Sequence, residues 1–506
     1  MLSSGCETIE LSLLRKRSTD HRGTGSIKVA EIELKLDLSR LEMDSLVSSD
    51  LLGEPAETVE QHSVYFDTDD RRLFDAGFTL RIRRSGAAMT QTVKATGPGA
   101  SLFARSEWET AVETDVPVLD HTSPLLNQFG DIRGDLFPQF EVSIDRRIWS
   151  LIENGSKIEL AVDRGAAAEA ERQTPICEIE LELKDGDPKD LFALARKIEA
   201  IVPFRFSVHS KAERGYRLLD AMPHVYKSEE IDLEWRSSAM EGFQTIAQAC
   251  FRQFRLNETV LLHRRSAEAL HQARVAMRRL RSAISLFKPL LDDEAGRLSD
   301  EFRWLAGVLG EARNIDVLLP KAKDGSLADR LQEAREAAYD EAEKALGSPR
   351  ARALLLDFHE WLHTGTYLDG PAKDKTIAEQ AVEALDKMRK KLKKHGRDLA
   401  RVDDERRHEA RKDAKKLRYA AEFFKSLFAG HKKARRHKRF IKTMGELQDR
   451  LGALNDLATG PSVLDKHGLR DHAEAASVIL HADKGSLIAA AQAALDDVLD
   501  AKRFWR

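Results

Sequence analysis

Glu31, Glu33 and Lys35 alternate with Ile32, Leu34 and Leu36. In an extended strand that period of two sends both carboxylates and the ammonium to one face and the apolar side chains to the other. The pattern recurs: Arg81 and Arg83 flank Ile82, Glu107 and Glu109 flank Trp108, and Glu178, Glu180 and Glu182 are separated by Ile179 and Leu181. Charges of both signs turned into a closed sheet need partners, and a polyanion with bound divalent cations satisfies both. Carboxylates alone would oppose such a ligand, since like charges about 4 Å apart repel by roughly 4 kcal/mol at an effective dielectric of about 20.

A second group of residues repeats along the chain. His271, Arg274, Arg278 and Arg281 step by three, four and three, which lines them on one helical face, and His408, Arg411, Lys415 and Arg418 step identically. The segments 271–287 and 408–424 align without a gap, and a second similar segment follows each, Leu305–Asp316 and Leu447–Asp456. Ala273, Met277, Leu280, Ile284 and Phe287 form an apolar stripe on another side of the first helix. A basic row without acidic neighbours at helical spacing repels itself. Either it is a solvated charge run or it is an anion-binding face, and its recurrence at equivalent positions favours the second. Lys432, Lys433, Arg435, Arg436, Lys438 and Arg439 form a further basic cluster that would reinforce the second row. Duplication of a helical unit implies two similar bundles about a pseudo-two-fold axis.

The elements that must position these residues differ between the two halves. From about 28 to 220, short alternating runs are broken by turns such as Gly97-Pro98-Gly99 and Asn154-Gly155, which predicts eight or so antiparallel strands. Helices are expected over about 39–52 and 188–202, the latter with Asp187 as cap and Pro188 in first position. Residues 222–235 have no clear period, and beyond 238 the chain reads as helical. The expected fold is α+β: an N-terminal antiparallel β-barrel, a tunnel with flanking helices, then an all-α duplicated helical-bundle domain. The boundaries are a disordered tail at 1–26, a barrel domain at 27–220, a linker at 221–237 and a helical domain at 238–506, with repeats at about 238–370 and 371–506.

Composition sets limits. A chain of 506 residues is too long for one core, and its 33% charged and 7% aromatic residues fit a helix-rich protein. Net charge of −3 says little, because local fields decide partners. Cys6, Cys177 and Cys250 are isolated, which supports neither a disulfide framework nor a thiolate zinc site. No run approaches the roughly 18 apolar residues of a membrane span and no signal peptide is evident, so the expected location is cytoplasmic.

In order, ExExK, the Arg81-Ile82-Arg83 strand, Lys94 in VKATGPG, Arg105-Ser106-Glu107-Trp108-Glu109, Arg146 in DRRIW, Asp163 in LAVDRG, EIELELK and Lys211 in SKAERGY resemble a CYTH domain, the triphosphate tunnel metalloenzyme fold. The helix HxxRxxxRR and its repeat resemble a CHAD domain, the conserved histidine α-helical domain. The first resemblance implies that Lys35, Arg81, Arg83, Lys94, Arg146 and Lys211 contact phosphates. It implies that Glu31, Glu33, Asp163, Glu178 and Glu180 hold one or two Mg²⁺ or Mn²⁺ ions, with Glu31, Glu33 and Lys35 at the catalytic centre. Glu107, Glu109 and Glu182 share those faces and could instead pair with arginines across the lumen. The second implies polyphosphate binding through His271, Arg274, Arg278, Arg281, His408, Arg411, Lys415 and Arg418, and association with polyphosphate deposits. Tyr65, Phe66, Phe103 and Trp108 are too scattered to sandwich a base. The expected activity is metal-dependent hydrolysis of inorganic triphosphate to diphosphate and phosphate. The alternatives are a nucleoside or thiamine triphosphatase, or a non-catalytic polyphosphate-binding scaffold. Expected partners are inorganic triphosphate and inorganic polyphosphate, with no membrane and no specific nucleic acid.

Overall fold

The computed structural model describes residues 31–95, 104–120, 124–220, 224–323, 325–370, 373–478 and 482–506. The tail read at 1–26 lies outside the described residues.

Among the described residues, nine strands and five short helices make the first half. In chain order they are β1 (Glu31–Asp37), α1 (Arg40–Val47), β2 (Glu57–Asp67), α2 (Arg72–Asp75), β3 (Phe78–Ser85), β4 (Ala88–Ala95), β5 (Ala104–Ala111), α3 (Pro124–Phe129), β6 (Phe137–Glu153), β7 (Ser156–Glu169), β8 (Arg172–Asp185), α4 (Lys189–Ile201), β9 (Arg205–Phe206) and α5 (Lys211–Leu219). The sheet runs β5-β4-β3-β2-β6-β7-β8-β1-β9, and β1 also meets β5. That seam is short, Glu31 opposite Arg105 and Ile32 opposite Ala104. The result is a tunnel-like antiparallel sheet. Its polarity is inverted relative to an ordinary small barrel: Leu34, Leu36, Ile179 and Leu181 pack outward with Met43 and Leu46 of α1 and Leu191, Phe192 and Ile198 of α4, while charged residues face the lumen.

Two expected helices differ in detail. The first ends at Val47, because the Ser49 hydroxyl donates to the Leu46 carbonyl at 2.6 Å and competes with the next helical turn. The other is capped by Pro188 itself, with Asp187 Oδ1 accepting from the Lys189 amide at 2.9 Å.

The second half is helical: α6 (Ala239–His263), α7 (Ala267–Phe287), α8 (Glu294–Leu318), α9 (Ser326–Leu346), α10 (Pro349–Thr364), α11 (Ile377–His395), α12 (Asp404–Phe423), α13 (His431–Lys466), α14 (Ala475–Val478) and α15 (Lys484–Asp500). The repeated basic segments are α7 and α12, and their matching followers fall in α8 and α13. No described helix is long and apolar enough to cross a membrane.

The two halves share one interior. A single hydrophobic cluster runs from Leu34 and Leu36 of β1 through Phe192, Phe204 and Phe206 to Phe251, Phe358 and the helices beyond. Phe206 packs edge-on to Phe251 at 5.9 Å and tilts against His359 at 4.8 Å. Ion pairs rim the contact, Arg196 with Asp357 at 2.9 Å and with Glu360, and Arg352 with Glu199 at 2.9 Å.

Candidate functional site

The tunnel encloses a cavity of about 260 Å³. Of the residues picked from sequence, Glu33, Lys35, Arg81, Arg83, Lys94, Arg146, Glu180 and Lys211 line it, together with Glu107, Glu109 and Glu182. The side chain of Glu31 lies outside the described residues. Asp163 and Glu178 are fully buried beneath the cavity and reach it only through partners.

Period-two alternation on each strand brings this set together, and Lys211 enters separately as the first residue of α5. Both signs of charge recur around the ring. Arg81, Arg83 and Lys94 stand on β3 and β4 with Glu107 and Glu109 beside them on β5, whereas Glu33, Glu159, Glu180 and Glu182 share β1, β7 and β8 with Lys35 and Lys184. Lys94 meets its cross-strand neighbour Glu107 at 2.9 Å and Arg81 approaches Glu107 at 3.9 Å, so Glu107 pairs with β4 beside it and with β3 one strand further on. Arg83 has no ion-pair partner among the described residues, and its Nε is buried without a hydrogen bond.

At the floor, cations and carboxylates interlock. The Lys211 ammonium sits 2.6 Å from Asp163, 3.0 Å from Glu180, and against Glu178. Arg146 grips Asp163 through Nε at 2.6 Å and Nη2 at 2.5 Å, and reaches Glu180 at 2.5 Å. Lys35 pairs with Glu180 and lies 3.3 Å from Glu33. Burial would raise the Glu180 carboxyl, but Lys211, Lys35 and Arg146 hold it well below the usual carboxylate range. Burial would likewise discharge Lys211, and Asp163, Glu178 and Glu180 outweigh it and raise its ammonium.

Carboxylates form two groups suited to a hard divalent ion, which takes oxygen donors. Asp163, Glu178 and Glu180 bring ligand oxygens within 4.8 Å of one another. Glu33, Glu182 and Glu159 form a row across three neighbouring strands, Glu182 standing directly opposite Glu33 on one side and Glu159 on the other. Like charges so paired destabilise a sheet unless a cation lies between them. Lys184 answers only part of this, at 2.6 Å from Glu182 and 3.4 Å from Glu159. Glu159 and Lys184 were missed from sequence. Each lies at the alternating position of a strand face, Glu159 between Ile158 and Leu160 and Lys184 two residues past Glu182, and that spacing was the signal.

The helical half carries two basic cavities, of about 980 and 900 Å³. His271, Arg274, Arg278, Arg411, Lys415 and Arg418 line the first. Arg281 and His408 line the second, along with Arg278, Arg411 and Lys415, which border both. The histidine end of each repeat thus faces the arginine end of the other, as antiparallel neighbours about a pseudo-two-fold would. Arg313, Lys321, Arg303, Lys412 and Lys416 add charge that sequence reading did not single out. Gly310 keeps α8 open for Arg274, since a Cβ there would stand 2.5 Å from its Nη1.

Contrary to the expectation of rows without acidic neighbours, Arg418 pairs with Glu422 at 2.8 Å, Arg303 with Asp300 at 2.7 Å and Lys412 with Glu409, but Arg274, Arg278, Arg281, Arg411 and Lys415 have no ion pair among the described residues. Burial, then Arg411, Arg278 and Arg274, push the Lys415 ammonium down to about 7. Burial followed by Arg278 and Arg313 lowers Arg274 to about 10, and burial with Arg313, Arg278 and Arg274 lowers His271 to about 4. The Nε atoms of Arg278, Arg281 and Arg411 are buried with no hydrogen-bond partner. By contrast, Lys432, Lys433, Arg435, Arg436, Lys438 and Arg439 line neither basic cavity. They occupy the first turns of α13, which meets the cavity only from Gln448 onward. A rise of about 1.5 Å per residue puts Gln448 about 14 Å from Arg439 and about 24 Å from Lys432 along the axis.

Comparison with known proteins agrees with both halves. Residues 30–216 match the family model of the CYTH domain and residues 245–465 that of the CHAD domain. The chain is 31% identical over 204 residues to the inorganic triphosphatase of Haemophilus influenzae, a match that covers 38% of this chain and 56% of that protein. Thus the chain spans just over half the length of that relative. The crystal structure of the CHAD domain from the plant Ricinus communis is 29% identical and covers 55% of this chain and 97% of its own, with a TM-score of 0.47. A Hippeastrum protein whose structure is described as revealing a dominant triphosphatase activity is 20% identical, covering 38% of this chain and 98% of its own at a TM-score of 0.31. The chain is therefore a CYTH–CHAD protein, with a CYTH domain at residues 30–216 followed by a CHAD domain at residues 245–465.

Proposed function

We propose that the tunnel hydrolyses inorganic triphosphate to diphosphate and phosphate with Mg²⁺ or Mn²⁺, and that the basic cavities of the helical half bind inorganic polyphosphate. The observation that carries the first reading is a tunnel lined by Lys35, Arg81, Arg83, Lys94, Arg146 and Lys211 together with a glutamate row across β1, β8 and β7 that is only partly neutralised. The 31% identity to an inorganic triphosphatase supports it.

Lys35, Arg81, Arg83, Lys94, Arg146 and Lys211 neutralise the phosphate oxygens through charge-assisted hydrogen bonds. Glu33, Glu180 and Glu182 would hold a divalent ion, with Asp163 and Glu178 available when Lys211 turns toward the substrate. Such an ion, when bound, supplies Lewis-acid neutralisation and eases the ionisation of water. Glu33 accepts the proton of the water that attacks the terminal phosphorus, and the bond from that phosphorus to its bridging oxygen breaks. The cations of β3 and β4 meet the charge that develops on the departing diphosphate.

Among the described residues lining the cavity, Tyr65 is the sole aromatic, and it is already engaged, stacked on Phe140 at 4.7 Å and accepting from Arg81 at 3.4 Å. That leaves no platform for a base and favours an inorganic substrate over nucleoside or thiamine triphosphates. Phosphate release should be fastest from triphosphate, slower from ATP, thiamine triphosphate and long-chain polyphosphate at equal concentration of chain ends, and abolished by a chelator. Preference for ATP, or turnover undiminished in chelator, would overturn the reading.

The uncompensated cations bordering both cavities support polyphosphate binding. Because the Lys415 ammonium is depressed in the folded chain, the unfolded chain takes up a proton that the folded one does not, and stability falls as pH drops from the ordinary value of 10.5 toward 7. An anion reverses that penalty and draws a proton onto Lys415. Calorimetric titration with long-chain polyphosphate near pH 8, in buffers of different ionisation enthalpy, should therefore show uptake of roughly one proton. A heat independent of buffer would argue against this role for Lys415.

A further inference from the structure

Helix α6 belongs to the helical half, yet two of its arginines hold the segment that builds the tunnel floor. Arg252 and Arg255 are three residues apart and so share a face. Arg255 is fully buried and donates from Nη2 to the carbonyl of Phe206 at 3.1 Å. Phe206 pairs with Leu36 of β1, and the next residue, Ser207, donates its amide to the carbonyl of Lys35 at 2.8 Å. At the other end of the segment, Arg252 pairs with Oε1 of Glu213. Oε2 of the same carboxylate accepts the Ser210 amide at 2.7 Å, closing the capping box that starts α5 immediately before Lys211.

Each oxygen of Glu213 thus has its own task, one fixing the start of α5 and one tying that start to α6. The remaining partner of Arg252 is Glu229, largely exposed and at 3.4 Å. Lys211 therefore enters the tunnel from backbone that is clamped at both ends, residues 206 and 213, by the neighbouring domain, and Lys35 from a strand bonded to that backbone at Ser207.

We propose that Arg252 and Arg255 are positioning residues for triphosphate binding: α6 of the helical domain sets where Lys211 and Lys35 stand in the tunnel. The proposal rests on the triphosphatase reading above. A lysine that contacts the phosphates before and during reaction contributes equally to both states, so its displacement raises KM and leaves kcat nearly unchanged.

The test uses the full chain. Arg252 is partly exposed, so Arg252→Ala should fold, whereas buried Arg255 is left in place. Glu213→Gln keeps a side chain that can complete the capping box and removes only the charge that Arg252 meets. Both variants should raise KM for triphosphate about tenfold with kcat within twofold of the parent. Because they break the same contact, the double variant should be no worse than either alone. Arg252→Lys should restore most of the affinity, which a purely structural defect would not predict. Unchanged KM in folded single variants, or losses that simply add in the double variant, would overturn the proposal. A parent chain that neither binds nor hydrolyses triphosphate would overturn the functional reading itself, and this proposal with it.

Discussion

Glu180→Gln lowers kcat for triphosphate by about a thousandfold at saturating metal while far-UV circular dichroism stays that of the parent. Glu180 touches Lys35, Arg146 and Lys211 at once and belongs to the carboxylate group it forms with Asp163 and Glu178. The amide matches its volume but gives up the ligand charge that a divalent ion needs, and metal neutralisation is worth several kcal/mol in such a transition state. It also leaves the cations of the floor facing one another. Removing one partner of a buried ion pair costs about 3–5 kcal/mol, so the melting temperature should fall, and added triphosphate should recover part of it by restoring an anion. The sign with pH is fixed by the depressed Glu180 carboxyl: its contribution is fully present above its ordinary value of 4.5 and is lost only well below it. A variant retaining more than about a tenth of parental kcat would show that Glu180 is structural.

Reversing Arg278 and Lys415 to Glu together weakens long-chain polyphosphate binding by at least a hundredfold and raises the melting temperature of the free protein. Both residues border both cavities, so the change strikes the centre of the basic field. For each phosphate that the altered cavities no longer neutralise, the dependence of log affinity on log salt should flatten by somewhat under one unit, by analogy with counterion release on nucleic acids. The gain in stability follows from the same geometry. Lys415 is depressed by burial and by Arg411, Arg278 and Arg274, and a carboxylate there would pair with the arginines it now repels. Affinity unmoved by the double reversal would remove the cavities from polyphosphate binding. DNA bound as tightly as polyphosphate would make them a general polyanion surface. Loss of binding with lower stability would mean that the cations support the fold.

Strand alternation and helical spacing revealed the charged faces because both are properties of local geometry. The ExExK strand, the Arg81 and Arg83 pair and the two His–Arg rows could be placed on their elements without knowing any neighbour, and the structure gathers them into the tunnel and the paired cavities. What local spacing does not carry is register. Whether a carboxylate meets an ammonium or another carboxylate depends on which strand lies opposite. So Asp163 and Glu178 look like Glu33 in sequence but lie under the floor, matched by Lys211 and Arg146. Glu182 faces Glu33 and Glu159 for the same reason. Distance along a helix is a second blind spot: the Lys432 to Arg439 cluster follows the second basic row closely in sequence and still misses its cavity. Arg252 and Arg255 gave no signal, since a charged pair on an amphipathic helix shows nothing of the other domain it grips.

The border between the two families runs through a packed interior. Phe192, Phe204 and Phe206 on one side and Phe251 and Phe358 on the other belong to one cluster, and each such ring is worth about 1.5–3 kcal/mol when shielded from water. A recombination or proteolytic cut within 224–238 would uncover those rings on both products, leaving two adhesive fragments in place of two domains. The tunnel and the basic cavities are thus built on one shared interior.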